Sequence, residues 1–452
     1  MEVSDLPALY IKDFSCIKEA YLNIAPVNVI IGPQGSGKSV TTKLLYFFVD
    51  VFSSFSQFAE RGESIDFFKK SLSKQFSVWF PPPAWGSGRF NITYSAGLFD
   101  MRILRRRSGG APSDEVSIKF SDWFSEFYEQ IRASFVAQLK QIEEDIESEP
   151  FSAVPYERSI RTRELAANKL SVALRGEYIS QQTFIPAGRA FFTTIGRLVA
   201  GFEQAGSLDP VTVKFARLFA NLKDRNSRTF LSHRISRLGP EYISRRENFM
   251  SQLFGGELRF ENDIEFVQTG DGRKIPFSSL SSGQQELLPM WSLIDYFNER
   301  DAMAAASPSP QRRSRRELLY IEEPEAHLFP SAQSLLMEFL IGSMTALRGN
   351  NRQRNLILTT HSPYIMGKLN VFLKAGQLAR RKKRNQDINE IVPRECWLNE
   401  NQLAAYAIKD GILTDLMDAD GFIDGTYLDG ISEDISQQFS SLLQIDSEIS
   451  SL

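Results

Sequence analysis

Residues 32–39 read Gly32-Pro33-Gln34-Gly35-Ser36-Gly37-Lys38-Ser39, the G-x-x-x-x-G-K-[ST] spacing of a loop that cradles phosphate. An apolar run (Val27, Val29, Ile30, Ile31) leads into it, and a helix-forming stretch beginning at Val40 follows over residues 40–48. Gly32, Gly35 and Gly37 let the backbone turn its N–H groups inward, so that the loop wraps an anion at a helix N-terminus. Pro33, Gln34 and Ser36 complete the cradle. Lys38 then sets a point charge on the β- and γ-phosphates, and the Ser39 hydroxyl is placed to ligate Mg²⁺. A strand, this loop and a helix in that order predict a nucleoside-triphosphate site.

Three later stretches carry groups that such a site uses. Leu280-Ser281-Ser282-Gly283-Gln284-Gln285 opens a helix predicted over 286–297 and offers hydroxyl and N–H groups to an anion at a positive helix end. Leu318-Leu319-Tyr320-Ile321-Glu322-Glu323-Pro324 is an apolar strand ending in two carboxylates. Neighbours on a strand point to opposite faces, so one carboxylate can reach Mg²⁺ while the other faces an attacking water. Leu356-Ile357-Leu358-Thr359-Thr360-His361-Ser362 is a second apolar strand, ending in a histidine placed to sense the γ-phosphate.

The elements that must hold these groups are legible in outline. Residues 9–31 alternate apolar and polar and predict a β-rich entry. An aromatic stripe (Phe47, Phe48, Phe52, Phe55, Phe58) predicts that the helix after the loop buries one face. Residues 89–107 read as two strands of a meander. Residues 121–148, with Trp123, Phe127, Ile131, Phe135 and Leu139 at spacings of three and four, predict a long helix, joined by a second over 161–174 into a short arm or cap. Residues 178–186 read as a returning strand, 211–246 as helical, and 255–267 as β. Residues 304–316 read as an exposed linker and 431–443 as a terminal amphipathic helix.

Composition narrows the class. The 452 residues carry 42% hydrophobic and 24% charged side chains, as an ordinary globular chain does. Lys and Arg number 52 against 55 Asp and Glu, a formal charge of −3, so a nucleic-acid contact would need a local patch. Two such runs stand out, Arg105-Arg106-Arg107 and Arg380-Arg381-Lys382-Lys383-Arg384, each either a solvated loop or an anion contact. No apolar run approaches a membrane span, no secretory pattern opens the chain, and Cys16 and Cys396 read as reduced core thiols, so the expected compartment is the cytoplasm.

The set GPQGSGKS, LSSGQQ, LLYIEEPEAHLFP and LILTTHS resembles the ABC-type ATPase heads of the SMC, RecF and OLD group. The resemblance implies an α/β P-loop head of two lobes with an inserted short helical arm, and ATP with Mg²⁺ as its cofactors. It divides the chain into a first lobe (1–60), an inserted β/helical subdomain (61–177), a second lobe (178–368) and a small C-terminal region (369–452). By the family's motifs Glu322 stands on the metal side, Glu323 is the general base and His361 the switch histidine. Ser281, Ser282, Gly283 and Gln284 fall in the signature that meets the γ-phosphate bound by the other subunit, which implies at least a homodimer. Glu325-Ala326-His327-Leu328 falls where the dimer-contacting D-loop does, and Gln181 or Gln182 at the lobe-coupling glutamine that can approach the metal. Gln34 stands where these heads carry asparagine, and Ser282 replaces a glycine.

With no long rod and no fused nuclease, the chain is most similar to standalone ATPase subunits of anti-phage systems such as PARIS. That likeness implies a regulatory ATPase that holds a separate effector, such as a Toprim-type nuclease, and releases it on sensing a phage protein. The alternative is a RecF-like repair or maintenance ATPase that binds DNA. Asp418-Ala419-Asp420 is the one D-x-D pattern in the tail, where a third reading would place an intrinsic nuclease metal site; its surroundings read as a turn.

Overall fold

A computed structural model describes residues 6–148, 154–195, 208–226, 240–261, 264–305, 315–345, 352–381, 384–425, 437–438 and 440–442. Its strands are β1 (Ala8–Phe14), β2 (Ile17–Asn23), β3 (Val27–Ile31), β4 (Asn91–Ala96), β5 (Phe99–Ser108), β6 (Ala111–Phe120), β7 (Ile179–Ile185), β8 (Gly256–Glu261), β9 (Ile264–Thr269), β10 (Lys274–Pro276), β11 (Arg315–Glu322), β12 (Arg352–Thr360), β13 (Leu403–Lys409) and β14 (Ile412–Asp415). The helices are α1 (Lys38–Glu60), α2 (Ile65–Trp79), α3 (Asp122–Ser148), α4 (Val154–Ala173), α5 (Ala190–Ile195), α6 (Pro210–Asn226), α7 (Pro240–Phe254), α8 (Ser282–Ala305), α9 (Pro330–Thr345), α10 (Pro363–Arg380) and α11 (Asn385–Ile391).

Eleven strands form one mixed sheet in the order β6-β5-β4-β1-β2-β14-β13-β3-β12-β11-β7, so the fold class is α/β as expected. The strands from β13 to β7 run parallel to one another, while β1, β2, β4, β5 and β6 pair antiparallel. Strands β8–β10 make a separate small sheet. The sheet draws strands from all four stretches into which the sequence was divided. Residues 91–120 extend the β1–β2 ladder, and residues 403–409 of the C-terminal stretch lie directly beside β3.

Alternation along the parallel strands splits the apolar residues between two cores. Ile30, Leu318, Tyr320, Ile357, Tyr406 and Ile408 face one side. Val29, Ile31, Leu319, Ile321, Leu356, Leu358 and Ala405 face the other. A strand covered on both faces must be apolar at successive positions, which is why these runs read as uninterrupted. The first core takes the aromatic stripe of α1, where Phe47, Phe48, Phe52 and Phe55 are buried against Phe76, Tyr94, Phe99, Phe124 and Phe127. The second takes α8, α9 and α10.

Several local expectations change. Residues 89–120 make three strands, because Gly109 and Gly110, both at positive φ, return the chain as β6. Arg105 therefore lies on a strand: its guanidinium covers the Trp85 ring at 5.5 Å and donates to the Gly86 and Ser113 carbonyls. Arg106 pairs with Glu115, Arg380 with Glu400 and Arg384 with Asp387. Cys396 is buried but Cys16 is exposed. Residues 306–314 of the expected linker and most of the expected terminal helix lie outside the described residues. Among the described residues no helix is long and apolar enough to cross a membrane.

Candidate nucleotide-binding and hydrolysis site

The fully buried strand β3 delivers the chain into the loop at 32–37, and the loop opens α1 at Lys38. Two glycines there have identifiable reasons. A Cβ on Gly32 would lie 2.5 Å from the Ile408 carbonyl of β13, so the loop fits only if that position is bare. Gly37 caps α1 in the left-handed region at φ 107°, with the Ile17 side chain 2.8 Å from where its Cβ would stand. Pro33, Gln34, Gly35 and Ser39 are exposed, while Ser36 and Val40 are half-buried.

Lys38 is only 6% exposed, and its Nζ donates to the carbonyls of Gly32 (2.8 Å) and Pro33 (2.9 Å). Burial lowers its pKa from the usual lysine value, and the charges of Glu323, Glu325 and Glu322 act in the opposite direction. Three carboxylates thus share the electrostatic environment of the loop lysine.

Glu322 ends β11 at 6% exposure. Its Oε2 accepts from the Ala187 N–H at 3.4 Å, and its buried Oε1 has no partner. The separation of Glu322 from Glu323 differs from the strand alternation expected. The strand stops at Glu322, and Glu323 turns into the left-handed region at φ 43°, with its N–H held by the Thr359 carbonyl at 2.9 Å. That turn sets Glu323 Oε1 3.3 Å from His361 Nε2. One oxygen of Glu325 accepts from the Thr360 hydroxyl (2.6 Å) and the His361 N–H (2.7 Å), and its buried Oε2 has no partner. Ser362 caps α10 by accepting from the Tyr364 N–H.

The signature helix starts earlier than expected, at Ser282, and continues through Pro289 to Ala305. Gly283 abuts the turn that follows the carboxylates: a Cβ there would lie 2.6 Å from the His327 carbonyl oxygen. Ser281 and Ser282 are exposed. The Gln284 side-chain amide donates to the Leu253 and Phe254 carbonyls at the end of α7, which makes that group a structural tie.

Gln182 is not brought to the phosphate loop, and its metal-side assignment is corrected. Its amide donates to the Tyr46 carbonyl (2.9 Å) and to Asp50 (3.4 Å), and accepts from the Tyr320 hydroxyl, two turns and more along α1 from Lys38. Gln181 accepts from Arg300. Asp418 is occupied in a turn, where its Oδ1 accepts from the N–H groups of Asp420 and Phe422. Arg189 receives no role from the sequence, where a single arginine after a strand carries no pattern. It is fully buried beneath the Glu322–Glu323 turn and bonds both of that turn's carbonyls.

Magnesium in phosphate sites is held by one or two protein oxygens together with the phosphates. The unpartnered, buried Glu322 Oε1, within the electrostatic reach of Lys38, fits that pattern, with Ser39 at the head of α1 as the second oxygen.

An α/β sheet whose central strands end in a phosphate loop, a carboxylate pair and a histidine defines the P-loop NTPase class. The chain belongs to the family described as "AAA domain, putative AbiEii toxin, Type IV TA system", which matches residues 27–367. It is 32% identical over 89 residues to the OLD nuclease of Thermus scotoductus, a match covering 20% of this chain and 16% of that protein. Similar solved structures include the SMC head domain from Thermotoga maritima (14% identity, TM-score 0.32, covering 91% of this chain and 97% of that one). Another is the Smc head with a coiled coil and joint from Pyrococcus yayanosii (8% identity, TM-score 0.37, 95% and 100%).

Proposed function

We propose that this protein binds and hydrolyses ATP with Mg²⁺ at a site completed by a second copy of the chain. The observation that carries the reading is the convergence of Lys38, Glu322, Glu323 and His361 at the ends of three adjacent strands. Lys38 and the loop N–H groups hold the phosphates, and Ser39 and Glu322 hold the metal. The nucleotide supplies an electrophilic γ-phosphorus, with the metal drawing charge from its oxygens. Glu323 takes the proton of the attacking water, and His361, with its Nε2 3.3 Å from Glu323 Oε1 and its backbone N–H anchored by Glu325, orients that carboxylate.

Ser281 and Ser282 lie on the surface, Gly283 is buried against the 325–328 turn, and the strongly exposed Phe329 (77%) and Tyr364 (57%) flank the same region. Exposed aromatics beside an incomplete site support a partner surface, and hence at least a homodimer. The finer reading is a regulatory ATPase of anti-phage defence that holds a separate effector, such as a Toprim-type nuclease, until a phage protein triggers it. Support comes from the likeness over 89 residues to an OLD nuclease and from the turn role of Asp418. The RecF-like DNA-binding reading draws less support, because Arg105, Arg106, Arg380 and Arg384 all have protein partners.

The test is Glu323→Gln. Loss of a general base slows turnover on the order of 10²- to 10⁴-fold while nucleotide is retained. The variant should therefore remain ATP-bound and associated by light scattering, and a pull-down should bring down the effector. Turnover at the wild-type rate removes Glu323 as the base. Bound DNA without a protein partner moves the assignment to the RecF-like reading.

A further inference from the structure

Arg189 makes more polar contacts than any group the hydrolysis reading uses, yet it touches neither phosphate-loop residue nor metal-side oxygen. It sits in the turn between β7 and α5 and is fully buried. Its Nη1 donates to the Glu322 carbonyl at 2.7 Å and to the Pro186 carbonyl at 3.0 Å, and its Nη2 to the Glu323 carbonyl at 3.0 Å. On its other side Nε donates to the Glu286 carbonyl at 2.9 Å, the backbone N–H donates to Glu286 Oε2 at 3.0 Å, and Nε lies 3.8 Å from that same carboxylate oxygen.

The two sides belong to different working parts. The Glu322 and Glu323 carbonyls bracket the left-handed residue that aims the base at His361. A non-glycine residue in that region is strained and persists only when its surroundings hold it. Glu286 is on the second turn of α8, the helix that begins with the signature serine and glycine. At its far end α8 is tied to the same strand: Arg354 bonds Asn298 and Asp301 of α8 and Glu317 of β11. The signature helix and the strand carrying the carboxylates are therefore joined at both ends by buried arginines, and only the Arg189 end touches the base.

We propose that Arg189 is the positioning residue of the hydrolysis site: it holds the Glu323 turn in its strained conformation and links that turn to the signature helix. The inference rests on Glu323 being the base. Contact of the signature with a nucleotide bound by the partner subunit then acts, through α8 and Arg189, on the base of its own subunit. Lysine at this position keeps the charge but carries its three N–H donors on one nitrogen, which cannot span the two turn carbonyls and Glu286 as the Nε, Nη1 and Nη2 of the planar guanidinium do.

The test compares wild type, Arg189→Lys, Glu323→Gln and the double variant, each as full chain with Mg²⁺, using a fluorescent ATP analogue for binding and phosphate release for turnover. Arg189→Lys should bind nucleotide within about threefold of wild type while kcat falls on the order of 10²-fold, the cost of about 1 Å of misplacement. In the Glu323→Gln background the same change should cause no further loss, since a positioning residue has nothing left to position. The proposal is overturned by a wild-type kcat in Arg189→Lys, by loss of binding in step with kcat, or by a full additional loss in the double variant. It also falls if Arg189→Lys and Arg189→Gln both fail to unfold cooperatively, which would make the residue a general structural one. Wild-type turnover in Glu323→Gln itself defeats the prior reading of the base, whereas slow Glu323→Gln with fast Arg189→Lys defeats this inference alone.

Discussion

Gly283→Ala tests whether the signature helix and the carboxylate turn are one mechanical unit. The added Cβ would lie 2.6 Å from the His327 carbonyl oxygen, 3.1 Å from Leu328 Cδ2 and 3.3 Å from the His327 carbonyl carbon. The nearest atoms are backbone, and that backbone has little freedom. His327 is itself at φ 59°, the Leu328 N–H is bonded to the Glu325 carbonyl at 2.9 Å, and the Glu325 carboxylate is bonded to Thr360 and His361. Reaching an ordinary contact takes a shift on the order of 0.5–1 Å, and overpacking of this kind costs about 1–3 kcal/mol. The shift falls to α8, because the turn is held by the switch strand, and α8 carries Glu286 against Arg189. Urea unfolding should show the loss as a lowered midpoint with unchanged slope. Phosphate release should fall on the order of 10²-fold, as expected for misplacement of a catalytic group by about 1 Å. An alanine variant with the wild-type midpoint and wild-type turnover would refute both the rigidity of the turn and its coupling to α8.

Other perturbations read separate parts of the molecule. Lys38→Ala removes the charge that the proposed function sets against the phosphates, and isothermal titration should detect no ATP binding at concentrations that saturate the wild type. Gly367→Ala lies inside α10 with nothing within 4 Å of the new Cβ and should stabilise by roughly 0.5–1 kcal/mol in urea titrations, the helix-propensity difference alone. Tyr406 of β13 both donates to the Asn23 carbonyl and accepts from the Asn23 N–H, each at 3.0 Å, so Tyr406→Phe should cost about 1–3 kcal/mol in the same titrations. Burial pushes the Tyr406 hydroxyl up to about 12 from 10.0. A raised folded-state value means that its contribution is complete below about pH 10 and is lost as pH rises through about 12. Alkaline melting curves of Tyr406→Phe should therefore fall less steeply over that interval than those of the wild type.

The legible parts of the site were those whose chemistry is written in consecutive residues. Gly32 to Ser39 needed no partner to be read, since strand, loop and helix are local, and the apolar runs ending at Glu322 and His361 were continuous because both faces of those strands are buried. The α1 stripe was readable for the same reason, as helical spacing reports a buried face without saying against what. Contacts between distant residues left no such trace. The run Leu403–Lys409 is apolar enough for a central strand, yet nothing local says that it pairs with β3 or that its Ile408 carbonyl is what forbids a side chain at Gly32. Gln182 carried the right residue type near the right strand, but its strand position turns it toward Tyr46 and Asp50. Arg189 was illegible for the converse reason, because its partners are backbone carbonyls, and carbonyls have no sequence. The basic runs left two readings open in the sequence because the Glu115, Glu400 and Asp387 that meet Arg106, Arg380 and Arg384 are not marked as their partners there.

Why the groups meet follows from strand order. In open α/β sheets ligands sit beyond the carboxyl ends of the parallel strands, and here three adjacent strands end together. Thr360 pairs with Ile31 across β12 and β3, and Glu322 pairs with Thr359 across β11 and β12. Strands lie about 4.8 Å apart, so β3 and β11 are separated by roughly 10 Å, with β12 between them. That spacing leaves room for phosphates between the Lys38 loop and the carboxylates, and it places His361 between the two, where it can touch Glu323. The arrangement depends on register more than on any one contact. A slip of β11 against β12 by one residue would turn Glu322 to the opposite face, because side chains alternate with period two. It would also carry the Glu323 N–H away from the Thr359 carbonyl that starts its turn. Leu318, Leu319, Tyr320 and Ile321 are each fixed in one of two distinct cores, so the apolar residues that appear only to support the site are what set the position of its carboxylates.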